Sequence, residues 1–123
     1  MTGSSRWSAL ALIAGGGFVG AVSRHGLAVA LPEVFPWGTL VANVLGTFLL
    51  GVLLYDQRLA DRLSPETRLL LGTGFCSSFT TYSNFAAETA GLAPAFAAAN
   101  VVANYALGFA AVLLGRLVAR WST

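Results

Sequence analysis

The sequence predicts an all-α membrane protein with four transmembrane helices, and three observations lead to this fold class. Of its 123 residues, 56% are hydrophobic and 10% are charged, whereas soluble domains carry about 25% charged residues. The mean hydropathy is +0.73. Four segments supply the roughly 20 mainly apolar residues that a helix needs to cross a bilayer. These predicted spans, residues 7–31, 36–55, 67–90 and 94–119, form a single domain with little chain outside them.

The first two predicted spans are almost free of charge. Residues 7–31 are uncharged up to Arg24, and residues 36–55 carry no charge at all. A cleaved signal peptide is the alternative for an apolar run near the N-terminus. This run is too long for a signal peptide, has three consecutive glycines from Gly15 in its middle and precedes three further spans. We therefore interpret it as a permanent helix.

Small residues recur along the spans, and Gly16 and Gly20 form a GxxxG pair in the first one. Small residues let helices approach closely in lipid, where packing replaces the hydrophobic driving force. Four helices are too few to enclose an ion path comfortably. We therefore expect close helix packing within the subunit and an oligomer in the membrane.

The third predicted span has an unusual composition in residues 74–85. It combines two adjacent serines at Ser77 and two adjacent threonines at Thr80 with several aromatic residues. Serine and threonine side chains compete for backbone hydrogen bonds and can open a helix. We predict a helix break near Ser77 to Thr80, in the middle of the span. A break frees carbonyl oxygens, which can coordinate a hard cation such as Na⁺.

Two other spans each carry a polar face. Thr39, Asn43 and Thr47 recur every four residues in the second span, and Asn100 and Asn104 have the same spacing in the fourth. Residues four apart lie on one face of a helix, and buried polar groups in lipid require a reason. Each face is a candidate wall of an anion path. Hydrogen bonding between helices is the alternative, and the spacing leaves both open.

The aromatic residues Tyr82 and Phe85 lie three apart and therefore share a face. An aromatic ring is negative on its face and positive at its edge. An anion can accordingly rest against the ring edges, while ordinary aromatic packing remains the alternative.

The arginines predict the orientation of the chain. All seven basic residues are arginines, and six of them fall on the side that holds both termini and the middle loop. Positive residues concentrate in cytoplasmic loops, so both termini are expected in the cytoplasm. The six are Arg6, Arg58, Arg62, Arg68, Arg116 and Arg120.

The sequence has no arrangement of side chains typical of an enzyme. His25 is the only histidine and Cys76 the only cysteine, and neither belongs to a catalytic or metal-binding pattern. No carboxylate lies in the centre of a span. We therefore do not expect an enzyme.

Taken together, these residues resemble the Fluc (CrcB) family of fluoride channels over nearly the whole chain. The most specific part of the match is the long polar and aromatic string in the third span. The matching residues are Gly16, Gly17, Gly20, Ala21 and Arg24, then Gly38, Thr39, Leu40, Asn43, Gly46, Phe48 and Gly51, then Gly74, Phe75, Cys76, Phe79, Thr80, Thr81, Ser83, Phe85 and Glu88, and finally Gly108 and Gly115.

The resemblance implies an antiparallel dimer that exports F⁻ passively from the cytoplasm and so reduces fluoride toxicity. It implies a structural Na⁺ at the dimer interface, held by the backbone carbonyls of Ser77 and Thr80 from both subunits, and an aqueous vestibule at Arg24. It also implies a fluoride path, to which we add Asn104 from the polar face of the fourth span. The predicted pore-lining residues are Asn43, Thr81, Tyr82, Ser83, Phe85 and Asn104.

The strong arginine asymmetry bears on the partner. Homodimers of the resembled family insert in both orientations, which requires a weak charge bias. We therefore hypothesise a heterodimer with an oppositely oriented homologue, in contact with membrane lipid. Two other functions remain open. A small multidrug-type antiporter requires a titratable carboxylate in the membrane, and the first span has none. A non-conducting assembly subunit would tolerate loss of Asn43.

Overall fold

Every regular element is helical in the part of the chain that the structure describes. The structure is a computed structural model that describes residues 3–121, with side chains from Arg6 onward. The elements are α1 (Gly3–Ala30), α2 (Trp37–Tyr55), α3 (Gln57–Arg62), α4 (Pro65–Arg68), a π-helical segment (Leu69–Cys76), α5 (Ser77–Phe79), α6 (Ser83–Gly91) and α7 (Pro94–Trp121).

Three of these helices are long and apolar enough to cross a membrane, namely Arg6–Ala30, Trp37–Tyr55 and Pro94–Trp121. Their outer faces expose large hydrophobic side chains such as Trp7, Phe18 and Val102. Such surfaces suit contact with lipid, because a soluble monomer rarely exposes apolar patches of this extent. The all-α membrane fold predicted from composition is therefore present, with three candidate spans.

The predicted span at residues 67–90 is not one continuous helix. Thr80, Thr81 and Tyr82 lie outside the helices, between α5 and α6. Thr80 is extended, with φ −79° and ψ 155°. The sequence pattern predicted the break near Ser77 to Thr80, but Ser77 still begins a helical turn, so the interruption starts later.

The region between α2 and the π-helical segment consists of two short capped helices. The Asp56 carboxylate accepts a hydrogen bond from the Leu59 backbone N–H at 3.0 Å. The Ser64 hydroxyl accepts one from Thr67 N–H at 3.2 Å, and Pro65 occupies the first turn of α4. Such caps satisfy N–H groups that have no partner within the helix. They allow the chain to reverse direction over few residues.

Glycines bring α1 against the π-helical segment. A Cβ atom at Gly16 would overlap the Leu70 carbonyl oxygen, and one at Gly20 would overlap the Phe75 carbonyl oxygen. The backbones therefore touch at positions that advance together along both elements, which makes the two parallel. The predicted packing role of the GxxxG pair is confirmed at this contact.

A second glycine contact joins α2 to α7. A Cβ atom at Gly115 would lie 2.5 Å from the Phe48 carbonyl oxygen and 3.2 Å from the Cα of Gly51. Further along the same pair, the Arg116 guanidinium lies 5.3 Å from the ring centroid of Tyr55. The helices α2 and α7 therefore run parallel, and their C-terminal ends lie at one end of the bundle.

Helix α2 of the second pair runs antiparallel to the interrupted segment of the first pair. Gly46 of α2 faces Thr80, whereas Thr39 of the same helix bonds Glu88 of α6. Rising residue numbers in one element thus pair with falling numbers in the other. Successive segments alternate in direction, and this order brings α2, the interruption and α7 into mutual contact.

We predict that Gly115→Ala destabilises the fold by about 1–3 kcal/mol, because the added methyl group must displace the backbone of α2. The measurement is thermal unfolding of the purified protein in detergent. Gly108→Ala in the same helix is the matched control, since nothing lies within 4 Å of a Cβ atom there. Equal melting temperatures for the two variants would contradict close backbone packing at Gly115.

Candidate functional site at the interrupted helix

Asn43 of α2 holds the interrupted backbone through both ends of its side-chain amide. Its Nδ2 donates to the Thr81 carbonyl oxygen at 3.1 Å, and its Oδ1 accepts from the Thr81 N–H at 2.7 Å. The side chain therefore bonds Thr81 as a neighbouring peptide group would. A backbone group left without a partner in this environment costs several kcal/mol (about 2–7), so this pair stabilises the interruption.

The carbonyls of Ser77 and Thr80 are among those that lose their usual helical partners at the same place. In a continuous α-helix, the N–H of residue i bonds the carbonyl of residue i−4. Here the N–H of Thr81 donates to Asn43 Oδ1, and the N–H of Asn84 donates to Thr81 Oγ1 at 3.1 Å. The carbonyls whose donors are diverted in this way belong to Ser77 and Thr80, the two predicted cation ligands.

Neither hydroxyl residue requires a strained backbone. Ser77 has φ −69° and ψ −27°, which any L-residue adopts readily. Its hydroxyl donates to the Thr73 carbonyl, and the Thr80 hydroxyl donates to the Cys76 carbonyl at 2.9 Å. These hydroxyl groups bond carbonyls of the preceding turn.

The two predicted polar faces meet through an asparagine pair. Asn43 Nδ2 donates to Asn104 Oδ1 at 3.1 Å. Asn104 Nδ2 in turn donates to the backbone and side-chain oxygens of Asn100, both at 2.9 Å. The spacing in the sequence left open whether these faces line a path or join helices. In the structure, Asn43 and Asn104 join α2 and α7 by bonding each other, and both also border a crevice.

The predicted aromatic pair lies beside these amides. Tyr82 is 72% exposed and Phe85 is buried, with ring centroids 5.8 Å apart. Phe85 also meets Tyr105 of α7 nearly edge to face, at 6.1 Å and 83°. Sequence reasoning missed Tyr105. Its position next to Asn104 and four residues before Phe109 was the signal that could have indicated it.

A crevice of about 350 Å³ collects most of the predicted site. Seven of the nine predicted residues border it, and Thr47 and Tyr105 join them. The lining contains amides, hydroxyls and aromatic rings but no charged side chain, so it offers neutral donors and positive ring edges. The bordering residues are Asn43, Thr47, Ser77, Thr80, Thr81, Tyr82, Phe85, Asn104 and Tyr105.

The remaining two predicted residues lie outside the crevice lining. Ser83 is exposed, and its hydroxyl lies 3.3 Å from the hydroxyl of Thr81, which borders the crevice. Arg24 lies on α1, where its Nε donates to the Ser78 carbonyl at 3.1 Å. Arg24 thus satisfies a carbonyl of α5 from the opposite side of the interrupted segment.

A second cleft, of about 360 Å³, lies near the loop between α1 and α2. It is bordered by Glu33 and Glu88, and the Thr39 hydroxyl donates to Glu88 Oε1 at 2.8 Å. Acidic side chains make this cleft unlike the neutral crevice. Among the described residues, no three His, Cys, Asp or Glu side chains are grouped in a way that could hold a metal ion.

Known proteins similar to this chain agree on one family. A family model described as CrcB-like protein, Camphor Resistance (CrcB), matches residues 11–116. Fluoride-specific ion channel FluC 1 of Natronomonas pharaonis is 62% identical over 113 residues, covering 92% of this chain and 95% of the relative. FluC 2 of Halobacterium salinarum is 54% identical over 110 residues, covering 89% and 84%. FluC of Methanopyrus kandleri is 46% identical over 120 residues, covering 92% of each chain.

We predict that Asn43→Ala speeds hydrogen exchange of the Thr81 backbone amide, because the variant removes its acceptor. The expected loss is about 1–3 kcal/mol of local protection, the typical cost of an unsatisfied buried donor. Hydrogen exchange of the protein in detergent measures this at residues 80–84. Asn84→Ala is the control, since Asn84 bonds Thr81 through its backbone N–H. Unchanged exchange in Asn43→Ala would contradict the backbone-holding role of Asn43.

Proposed function

Because this chain belongs to the CrcB family, we propose that it is a subunit of a channel that conducts fluoride across the cell membrane. The relatives are named as ion channels, a class of transport protein rather than enzyme, as the sequence analysis expected. The observation that carries the proposal is the uncharged crevice at the helix interruption. Its neutral donors suit a small anion that must both enter and leave.

The crevice supplies two kinds of contact for F⁻. Thr81, Asn43 and Asn104 contribute hydroxyl and amide groups, and Tyr82 and Phe85 contribute ring edges. An ion path must replace lost hydration without binding the ion too tightly to release it. Neutral hydrogen-bond donors and ring edges meet both needs, because a fixed positive charge would hold the anion more strongly. The ion passes down its gradient, and export from the cytoplasm lowers its toxicity.

We propose that residues 65–91 form a further membrane crossing, the third along the chain, with the interruption at mid-depth. The alternating direction of the segments supports this, as does the antiparallel pairing of Gly46 with Thr80 and Thr39 with Glu88. Irregular backbone at membrane depth is tolerated only where protein or a cavity covers it. Asn43 supplies that cover from one side.

A second subunit would cover the other side, and we propose an antiparallel dimer. The exposure of Tyr82 at an open crevice supports a partner there, because a phenol side chain beside amides gains little from contact with acyl chains. The carbonyls of Ser77 and Thr80 from each subunit would hold a Na⁺ at the shared axis. That ion would supply a positive charge between the two subunits, and the diverted donors described above leave these carbonyls suited to it.

The arginine distribution supports a heterodimer with both termini of this chain in the cytoplasm. Six of seven arginines belong to the end of the bundle that holds the termini and the α3–α4 region. Such a bias favours one orientation of insertion. An antiparallel partner would then be a homologue with the opposite bias.

We predict that Phe85→Leu lowers fluoride efflux about two- to tenfold, because the substitution keeps apolar volume but removes the ring edges. The measurement is efflux, with a fluoride-selective electrode, from fluoride-loaded liposomes that contain this chain and the proposed oppositely oriented homologue. Phe96→Leu is the control, since Phe96 lies exposed near the start of α7. Efflux in Phe85→Leu equal to that of the unmodified protein would remove the proposed path. Proton-driven cation efflux by the unmodified protein would favour the antiporter alternative.

A separate expression experiment tests the heterodimer. We expect little fluoride efflux from liposomes that contain this chain alone, and robust efflux when an oppositely oriented homologue is added. Insertion of both subunits is checked by protease accessibility of tagged termini. Robust efflux from the chain alone would contradict the heterodimer while leaving fluoride conduction intact.

A further inference from the structure

The hydrogen-bond chain that begins at Asn43 extends beyond the crevice to two residues outside its lining. Asn100 Nδ2 donates to the Thr89 hydroxyl at 2.8 Å, and that hydroxyl donates to the Phe85 carbonyl at 2.6 Å. Asn100 is 0% exposed. A fully buried amide is costly unless its hydrogen bonds are made.

The orientation of the Asn43 amide is fixed at its own end of the chain. A backbone N–H only donates, so the Thr81 N–H requires Oδ1 of Asn43 to face it. Nδ2 of Asn43 must then face the Thr81 carbonyl and Asn104 Oδ1. Both hydrogens of this amide therefore have assigned acceptors.

The orientation of Asn104 is fixed from the opposite direction. A backbone carbonyl only accepts, so the Asn100 carbonyl requires Nδ2 of Asn104. The same Nδ2 group bonds the Asn100 side-chain oxygen, which leaves Nδ2 of Asn100 to face Thr89. Thr89 has one hydroxyl hydrogen, and the Phe85 carbonyl accepts it. Along the hydrogen-bond chain, each side chain thus donates to the next one in the direction from Asn43 to the Phe85 carbonyl.

We propose that Thr89 and Asn100 are positioning residues for the fluoride path, an inference that rests on the proposed function. They hold the Asn104 oxygen against Asn43 and so set the energy with which the Asn43 amide is held. An anion that takes a hydrogen from Asn43 must displace either Asn104 Oδ1 or the Thr81 carbonyl. The strength of the hydrogen bonds made by Thr89 and Asn100 therefore determines how readily Asn43 exchanges its acceptor for fluoride.

The test compares two substitutions at Thr89, each measured in liposomes that contain this chain and the proposed oppositely oriented homologue. Thr89→Val keeps the shape and removes the hydroxyl, whereas Thr89→Ser keeps the hydroxyl. We expect fluoride efflux to fall about fivefold or more in Thr89→Val, the size that one buried hydrogen bond supports, and to remain near the unmodified level in Thr89→Ser. Asn84→Ala serves as the control, because Asn84 is a polar residue of α6 whose side chain is not part of the hydrogen-bond chain. Thermal unfolding identifies any variant that is merely unfolded.

A double substitution shows whether Thr89 acts through the chain. When Asn104→Ala has already cut the chain, Thr89→Val should cost no further flux, because substitutions at independent sites add and coupled ones do not. The same drop in both backgrounds would overturn the proposal and leave Thr89 a local structural role.

A flux-independent measurement separates this proposal from the proposed function. The side-chain amide NMR signals of Asn43, identified by their loss in Asn43→Ala, should shift in Thr89→Val and remain unshifted in Thr89→Ser. Shifted signals without any fluoride efflux would support the positioning role and overturn fluoride as the ion. Efflux with unshifted signals would overturn the positioning role and support the channel.

Discussion

The need to satisfy backbone hydrogen bonds inside an apolar bundle governs the rest of this structure. Where the chain leaves the helix at Thr80, Thr81 and Tyr82, its peptide groups lose their regular partners. Protein groups must then supply the missing bonds, because a backbone group without a partner is costly in apolar surroundings. Asn43 does this for Thr81 with one side chain that both donates and accepts. The interruption, the crevice and the asparagine chain all depend on that pair.

Glycine contacts supply the rigid frame that makes the pair possible. Gly51 and Gly115 bring the backbones of α2 and α7 together, which puts Asn43 within reach of Asn104. Gly16 and Gly20 hold the π-helical segment against α1, on the other side of the interruption. Close packing of small residues is the main attraction between helices in lipid. A shift of one turn in the contact between α2 and α7 would take Asn43 away from Asn104.

The resulting crevice combines polarity with the absence of formal charge. Its amides are oriented from both ends by backbone groups of fixed polarity, and its rings include the nearly edge-to-face pair of Phe85 and Tyr105. Arg24 is bonded to the Ser78 carbonyl and lies outside the lining. A neutral but strictly oriented lining suits a small anion that must be bound weakly and released.

The sequence by itself determined the elements that local pattern controls. Composition and hydropathy identified the membrane class, the spacing of Asn43 and Asn104 identified polar faces, and the serines and threonines indicated an interruption. The tertiary structure decided which groups meet: that Asn43 bonds Thr81, that Tyr105 joins the aromatic cluster, and that Ser83 lies outside the crevice lining. In the structure, the break also begins later than predicted, after the helical turn that starts at Ser77. The physical reason is that periodicity reports only which face of a helix a residue occupies. The register between helices is set by contacts between residues far apart in the chain, and only that register brings a donor to its acceptor.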